Sequence, residues 1–186
     1  AMMESLGCSV VEINLVNGRW VPNVNSAYNR RVTATTLMDV TGPAAGNDLM
    51  KTPGDPTGTV VKGTFANCSG GETPWGTYLS GEENFDGYFN NLNGMTNATY
   101  KSYHTAIMTN ANKAATLANA SDYTLFWERY DSRFDLSTAA GEKEPFRFGW
   151  IVEVDPYNPT KRPKKRTALG RFNHESGQTG LYAADK

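Results

Sequence analysis

Cysteine is scarce in this chain: its 186 residues hold two, Cys8 and Cys68. They are too few and too far apart for a disulfide framework or a close-spaced zinc site, so they set no redox compartment. Neither sign of charge dominates, with 18 Lys+Arg against 19 Asp+Glu and a formal net charge of −1. That balance gives no bulk electrostatic footprint and excludes nucleic acid and an anionic membrane surface as default partners. No apolar run approaches the ~20 residues of a membrane span. The opening Ala1-Met2-Met3-Glu4 has no basic region followed by an apolar core, as a leader peptide would. A Walker loop, a Gly-x-Ser-x-Gly elbow and a His-Glu-x-x-His helix are all missing. Turn formers are plentiful instead, with 18 Gly and 9 Pro, and the length suits one domain that buries roughly 70% of its unfolded surface.

The β-branched run Ser9-Val10-Val11-Glu12-Ile13 is followed by Asn17-Gly18 and then Arg19-Trp20-Val21-Pro22. An Asn-Gly pair between two such runs predicts a hairpin. Further strands are expected over Arg31 to Thr36, Gly58 to Phe65, Gly76 to Ser80, Tyr123 to Tyr130, Phe146 to Val154, Arg166 to Phe172 and Leu181 to Ala184. That makes about nine short strands, separated by Gly- and Pro-rich turns. His104 to Ser121 stands apart: it is Ala-rich, lacks Gly and Pro, and spaces Ile107, Ala111, Ala114 and Ala118 as a helix would. The expected fold is therefore mainly β with one inserted helix. Four-stranded antiparallel units of a propeller, or a closed sandwich, both accommodate the strand count. The scar-like Ala1 and the apolar run at the end suggest a piece of a longer chain.

Chemistry concentrates between Asn67 and Phe85. This stretch combines the Cys68 thiol, several glycines and the carboxylates Glu72, Glu82 and Glu83. Adjacent Glu82 and Glu83 at a strand end point to opposite sides, so one of them at most faces a given site. Glu82-x-Asn84-x-Asp86-Gly87 matches the first half of a calcium loop, but the twelfth position is Asn93 rather than Glu, which leaves hard-cation binding without an EF-hand. Read for structure alone, the stretch is a turn and an acidic strand end, with Cys68 a small buried hydrophobe. In Trp150-Ile151-Val152-Glu153-Val154-Asp155-Pro156, alternation puts Glu153 opposite Val152 and Val154, and Asp155-Pro156 ends the strand. His174 and Glu175 face opposite ways if their segment is extended, and either could ligate a metal. The basic run Lys161-Arg162-Pro163-Lys164-Lys165-Arg166, flanked by Pro159, reads as a solvated turn.

Several blocks occur in a recognisable order: Ser26-Ala27-Tyr28-Asn29-Arg30-Arg31, Thr41-Gly42-Pro43-Ala44-Ala45-Gly46, Asn67-Cys68-Ser69-Gly70-Gly71-Glu72-Thr73-Pro74-Trp75-Gly76-Thr77-Tyr78-Leu79, Glu82-Glu83-Asn84-Phe85, Arg133-Phe134-Asp135-Leu136, Phe148 to Pro156 and Lys165 to Phe172. The series resembles the PhoX-type bacterial alkaline phosphatases over nearly the whole chain. The resemblance implies that residues 1–186 form a single partial β-propeller domain, the amino-terminal portion of a longer enzyme. It implies export to the periplasm and hydrolysis of phosphate monoesters with ferric iron (Fe3+) and calcium (Ca2+), and it makes Cys68 the iron ligand. Acidic ligands are implied at Glu83 and Glu175, with Glu82 and Glu153 as further candidates. The chain departs from the usual pattern at Ser80-Gly81, where many relatives carry a cysteine, and at Cys8, where a small residue is expected. Two other readings stand beside this one, a non-catalytic β-propeller scaffold or binding module and a propeller hydrolase acting on another ester. A truncated propeller would be inactive, and its open sheet edges would invite self-association.

Overall fold

The computed structural model describes residues 2–107 and 125–180. A short helix, α1 (Met2–Ser5), leads into β1 (Cys8–Val10), which pairs antiparallel with β4 (Arg30–Val32). Between them β2 (Ile13–Val16) and β3 (Arg19–Pro22) form the hairpin expected from the sequence. Asn17 and Gly18 both adopt positive φ, 50° and 76°, which a two-residue turn matching the strand twist requires. Every residue of this hairpin is exposed.

The main sheet is six-stranded, in the order β6-β5-β10-β9-β8-β7. Its strands are β5 (Leu37–Thr41), β6 (Val60–Lys62), β7 (Asn67–Glu72), β8 (Tyr78–Glu82), β9 (Ile151–Val154) and β10 (Lys164–Arg166). β7 through β10 run as a consecutive antiparallel meander. The β5–β6 hairpin then joins β10 through a parallel pair, Lys164 to Arg166 against Asp39 to Thr41. The architecture is mainly β, and its sheets are open. Val152 and Val154 pack with Val32 and Met38 on one face, while Glu153 points the other way, as alternation along β9 requires.

The larger core is rich in aromatic residues and is assembled largely from loops and single turns of tight helix, with Val40 and Val61 contributed by β5 and β6. Phe65 lies at its centre, with ring centroids 4.2 Å from Phe148, 4.5 Å from Tyr88 and 5.6 Å from both Trp127 and Phe134. This packing explains one departure from the expected strands. Residues 127–129 of the run Tyr123 to Tyr130 form a helical turn after Phe126, whose φ is 53°, because burying Trp127 against Phe65 needs a turn rather than alternation. Residues 123 and 124, the strand expected at 181–184 and positions 108–121 of the expected helix lie outside the described residues.

The helix itself, α2 (Ala98–Ile107), starts six positions before His104 because Asn97 caps it: its side-chain oxygen accepts from the Tyr100 N–H at 3.1 Å. The basic run also differs from the solvated turn expected. Its second half is β10, with Lys165 completely buried. Lys161 and Arg162 pair with Asp155 and Asp39 at the surface. No helix among the described residues is long and apolar enough to cross a membrane.

Candidate functional site

The β7–β8 hairpin is glycine-rich and irregular by construction. Its register shifts between Asn67 and Gly70, so Cys68 and Ser69 bulge away from β8. A bulge re-aims side chains and frees backbone groups, and both effects appear here. Cys68 is exposed rather than buried, which corrects the reading of it as a small core residue. The freed Ser69 N–H donates to the Glu175 carbonyl at 2.8 Å, drawing the segment after β10 over to the bulge. Glu83, just past the end of β8 and half-buried, is held by its N–H donating to the Ala66 carbonyl at 3.0 Å.

Electrostatics shows that these groups share one neighbourhood. The Glu83 carboxylate accepts a hydrogen bond from the Cys68 thiol and raises its pKa above the ordinary value; the Ser69 N–H opposes this, and the charges of Glu83 and Glu175 add to it. The exposed thiol is thus hydrogen-bonded to one carboxylate, Glu83, with the charge of Glu175 the smallest influence on it. Among the described residues, no group of three or more His, Cys, Asp and Glu side chains is placed to hold a metal ion.

The other two candidate carboxylates have different occupations. Glu82 is fully buried and accepts from Lys165 Nζ at 2.7 Å, Thr64 Oγ1 at 2.8 Å, and the backbone N–H groups of Gly149 and Trp150 at 3.0 and 3.2 Å. Its lone pairs are spent on the fold, and it faces away from Glu83 as neighbouring strand residues must. Glu153 accepts from Trp75 Nε1 at 3.0 Å and Thr77 Oγ1 at 2.7 Å, and it pairs with Arg166. Burial alone would raise its pKa, but the Arg166, Trp75 and Thr77 donors outweigh that and take it down to about 2. The structure thus places the Cys68 thiol beside Glu83, ties the Glu175 backbone to Ser69, and leaves Glu82 and Glu153 satisfied by protein donors. His174 is buried, with Nε2 3.1 Å from the Gly170 carbonyl and its ring stacked 3.9 Å from Phe172.

Sequence reasoning missed Lys165, the cation that balances Glu82. Its signal was the alternation of Lys164, Lys165 and Arg166, which places the middle residue on the face opposite its neighbours once the run is taken as a strand.

No curated protein matches the chain. Among solved structures, it is similar to Pseudomonas fluorescens PhoX in complex with vanadate, a transition state analogue, at 40% identity and a TM-score of 0.71. The match covers 90% of this chain and 27% of that one, so the chain spans about a quarter of the relative's length. The family model for alkaline phosphatase PhoX matches residues 1–183, and the chain belongs to that family.

Proposed function

We propose that this chain supplies part of the metal-holding site of a PhoX-type phosphatase acting on phosphate monoesters. The observation that carries the reading is the hydrogen bond from the Cys68 thiol to Glu83, with the Glu175 backbone tied to the next residue, Ser69, within a chain of this family. The solved relative holds vanadate, described as a transition state analogue, and the same class of chemistry is assigned here.

The donor types fit the implied metals. A thiolate with carboxylates suits ferric iron, and carboxylate oxygens suit calcium. Cys68 would hold iron, and Glu83 and Glu175 would be the acidic ligands of the metals. Glu82 and Glu153 do not fit, since each is already saturated by protein donors. Bound iron and calcium would supply the positive charge that offsets the anionic phosphoryl group during transfer. The chain's own residues hold the anionic cluster at the surface: the bulge turns Cys68 outward, Ala66 fixes Glu83 and Ser69 fixes Glu175.

The β7–β10 meander supports a propeller reading, because four consecutive antiparallel strands are one blade's connectivity. The short share of the relative's length supports incompleteness of the site in this chain, hence little or no turnover from it alone. Export to the periplasm rests on the family likeness. The test is metal analysis and phosphate monoester hydrolysis by a polypeptide of full family length bearing these residues, as wild type and with Cys68→Ser, Glu83→Gln or Glu175→Gln. Loss of iron with Cys68→Ser, and of activity with all three, is expected. Retained iron and normal turnover in Cys68→Ser would overturn the ligand assignment, and family-level turnover by residues 1–186 alone would overturn the incompleteness.

A further inference from the structure

The turn that closes the β7–β8 hairpin lies at the opposite end from Cys68 and Glu83, about 15–20 Å along the strands. Beside it opens a polar cleft of about 310 Å³, at the lower end of the range of small-ligand sites. Trp75 and Thr77 form one wall and the basic run after Asp155 the other, so that four cations face two carboxylates. The charges do not cancel locally. Glu153 is taken up by Arg166, Trp75 and Thr77. Lys161 and Arg162 have only loose surface partners, Asp155 at 3.5 Å and Asp39 at 3.4 Å, and exposed pairs of this kind exchange readily. Strand alternation turns Lys165 inward and Lys164 and Arg166 towards the cleft. Lys164 is half-buried, and its ammonium makes no hydrogen bond or ion pair among the described residues. The Trp75 ring is 64% exposed and belongs to neither core cluster, yet its Nε1 is anchored on Glu153 at 3.0 Å. An aromatic ring is thus held in solvent next to an unpaired cation.

We propose that this cleft binds a phosphate dianion, with Lys164 as its principal contact and Arg162 and Lys161 turning onto it from the loop before β10. A tetrahedral dianion has enough acceptor oxygens to engage several cationic donors at once, and the Arg162 guanidinium offers it a planar fork. A carboxylate carries one charge and satisfies fewer of them. Trp75 would lie against the carbon-bearing side of an organic phosphate, a surface that inorganic phosphate does not use. The site stands whether or not Cys68 holds iron, because the two share no residue. It gives the chain a second place for phosphate-bearing ligands.

The test is fluorine NMR of fluorotryptophan-labelled protein at about pH 7.5, where phosphate monoesters are dianionic, at fixed ionic strength. Phenyl phosphate, inorganic phosphate and acetate are titrated into the 186-residue chain and into a polypeptide of full family length, with the Trp75 signal assigned through Trp75→Phe. Phenyl phosphate should move that signal saturably at millimolar concentration, inorganic phosphate should compete with it, and acetate should do neither. Lys164→Gln should weaken binding about tenfold and Arg162→Gln about threefold, while the signals of buried Trp127 and Trp150 stay in place and report an intact fold. Should Lys164→Gln move those two signals, Arg162→Gln, in an exposed turn, decides. Tighter binding of phenyl phosphate makes an organic phosphate the ligand, and equal affinity makes it free phosphate; both uphold the site. A Trp75 signal unmoved by phenyl phosphate in both polypeptides would overturn the proposal, as would an equal response to acetate or no competition from inorganic phosphate. Binding unchanged in both variants would overturn it too. A response confined to the 186-residue chain would mean that the longer protein covers the cleft, and would also overturn it.

Discussion

Replacing Lys165 by Met probes a fully buried charge. Lys165 Nζ is 2.7 Å from Glu82, both side chains have no exposure, and the ammonium also donates to the Arg147 carbonyl at 3.0 Å and lies 3.7 Å from the Phe148 ring centroid. At 2.7 Å the pair attraction is about 6 kcal/mol for an effective dielectric of ~20, most of it offset by desolvation. The substitution leaves Glu82 with three neutral donors, from Thr64, Gly149 and Trp150, and no cation. Stranding one buried partner costs about 3–5 kcal/mol, a large share of the ~5–15 kcal/mol of a typical domain. Urea unfolding at neutral pH should show that loss for Lys165→Met, a similar one for Glu82→Gln, and about the loss of one single variant for the double. Burial lowers the Lys165 pKa to about 8 despite the opposing pull of Glu82, against an ordinary 10.5. Between those values the unfolded chain binds more protons, so wild-type stability should rise with pH across the window, and Lys165→Met should flatten the rise. Losses under about 1 kcal/mol, or strictly additive ones, would refute the reasoning.

Other outcomes follow from the same contacts. Phe65→Ala should cost about 3–5 kcal/mol by emptying the centre of the aromatic cluster, measured as a fall in thermal midpoint. Glu153 has a folded pKa of about 2 against an ordinary 4.5, so its stabilisation is fully present above 4.5 and is lost as pH falls through about 2; Glu153→Gln should remove that part of the acid dependence, followed by tryptophan fluorescence. Because Glu83 raises the Cys68 thiol's pKa, Glu83→Gln should speed alkylation of Cys68 near pH 8, read by mass spectrometry. Half-buried Cys8, whose own pKa is raised mainly by burial, serves as the internal reference.

What the sequence disclosed was the local chemistry. Asn17-Gly18 announced its hairpin because two positive φ values leave few residue choices, and the opposition of Glu82 and Glu83 followed from strand geometry alone. The neighbourhood of Cys68, Glu83 and Glu175 came from family likeness, since residues so far apart carry no spacing signal. Long-range pairing was the illegible part. β5 and β7 were not foreseen, and β7 in particular is too rich in glycine to resemble a strand. Lys165 looked solvated because its compensating anion lies in a strand that only the folded sheet brings near. Asn97 was passed over as a helix start because its capping bond depends on a turn that hydrophobic periodicity does not report.

The parallel joint between β5 and β10 also bears on synthesis. β5 ends at Thr41 and its neighbour in the sheet begins at Lys164, so the early hairpin must wait for the chain as far as β10 to leave the ribosome before gaining that neighbour. Such distant closure slows folding and leaves a bare strand margin during translation, open to mispairing. β10 is therefore a late keystone that arrives with Lys165 already charged and must find Glu82 as it docks. A truncation between Val154 and Lys164 would leave two half-sheets, β6-β5 and β9-β8-β7, with no strand between them.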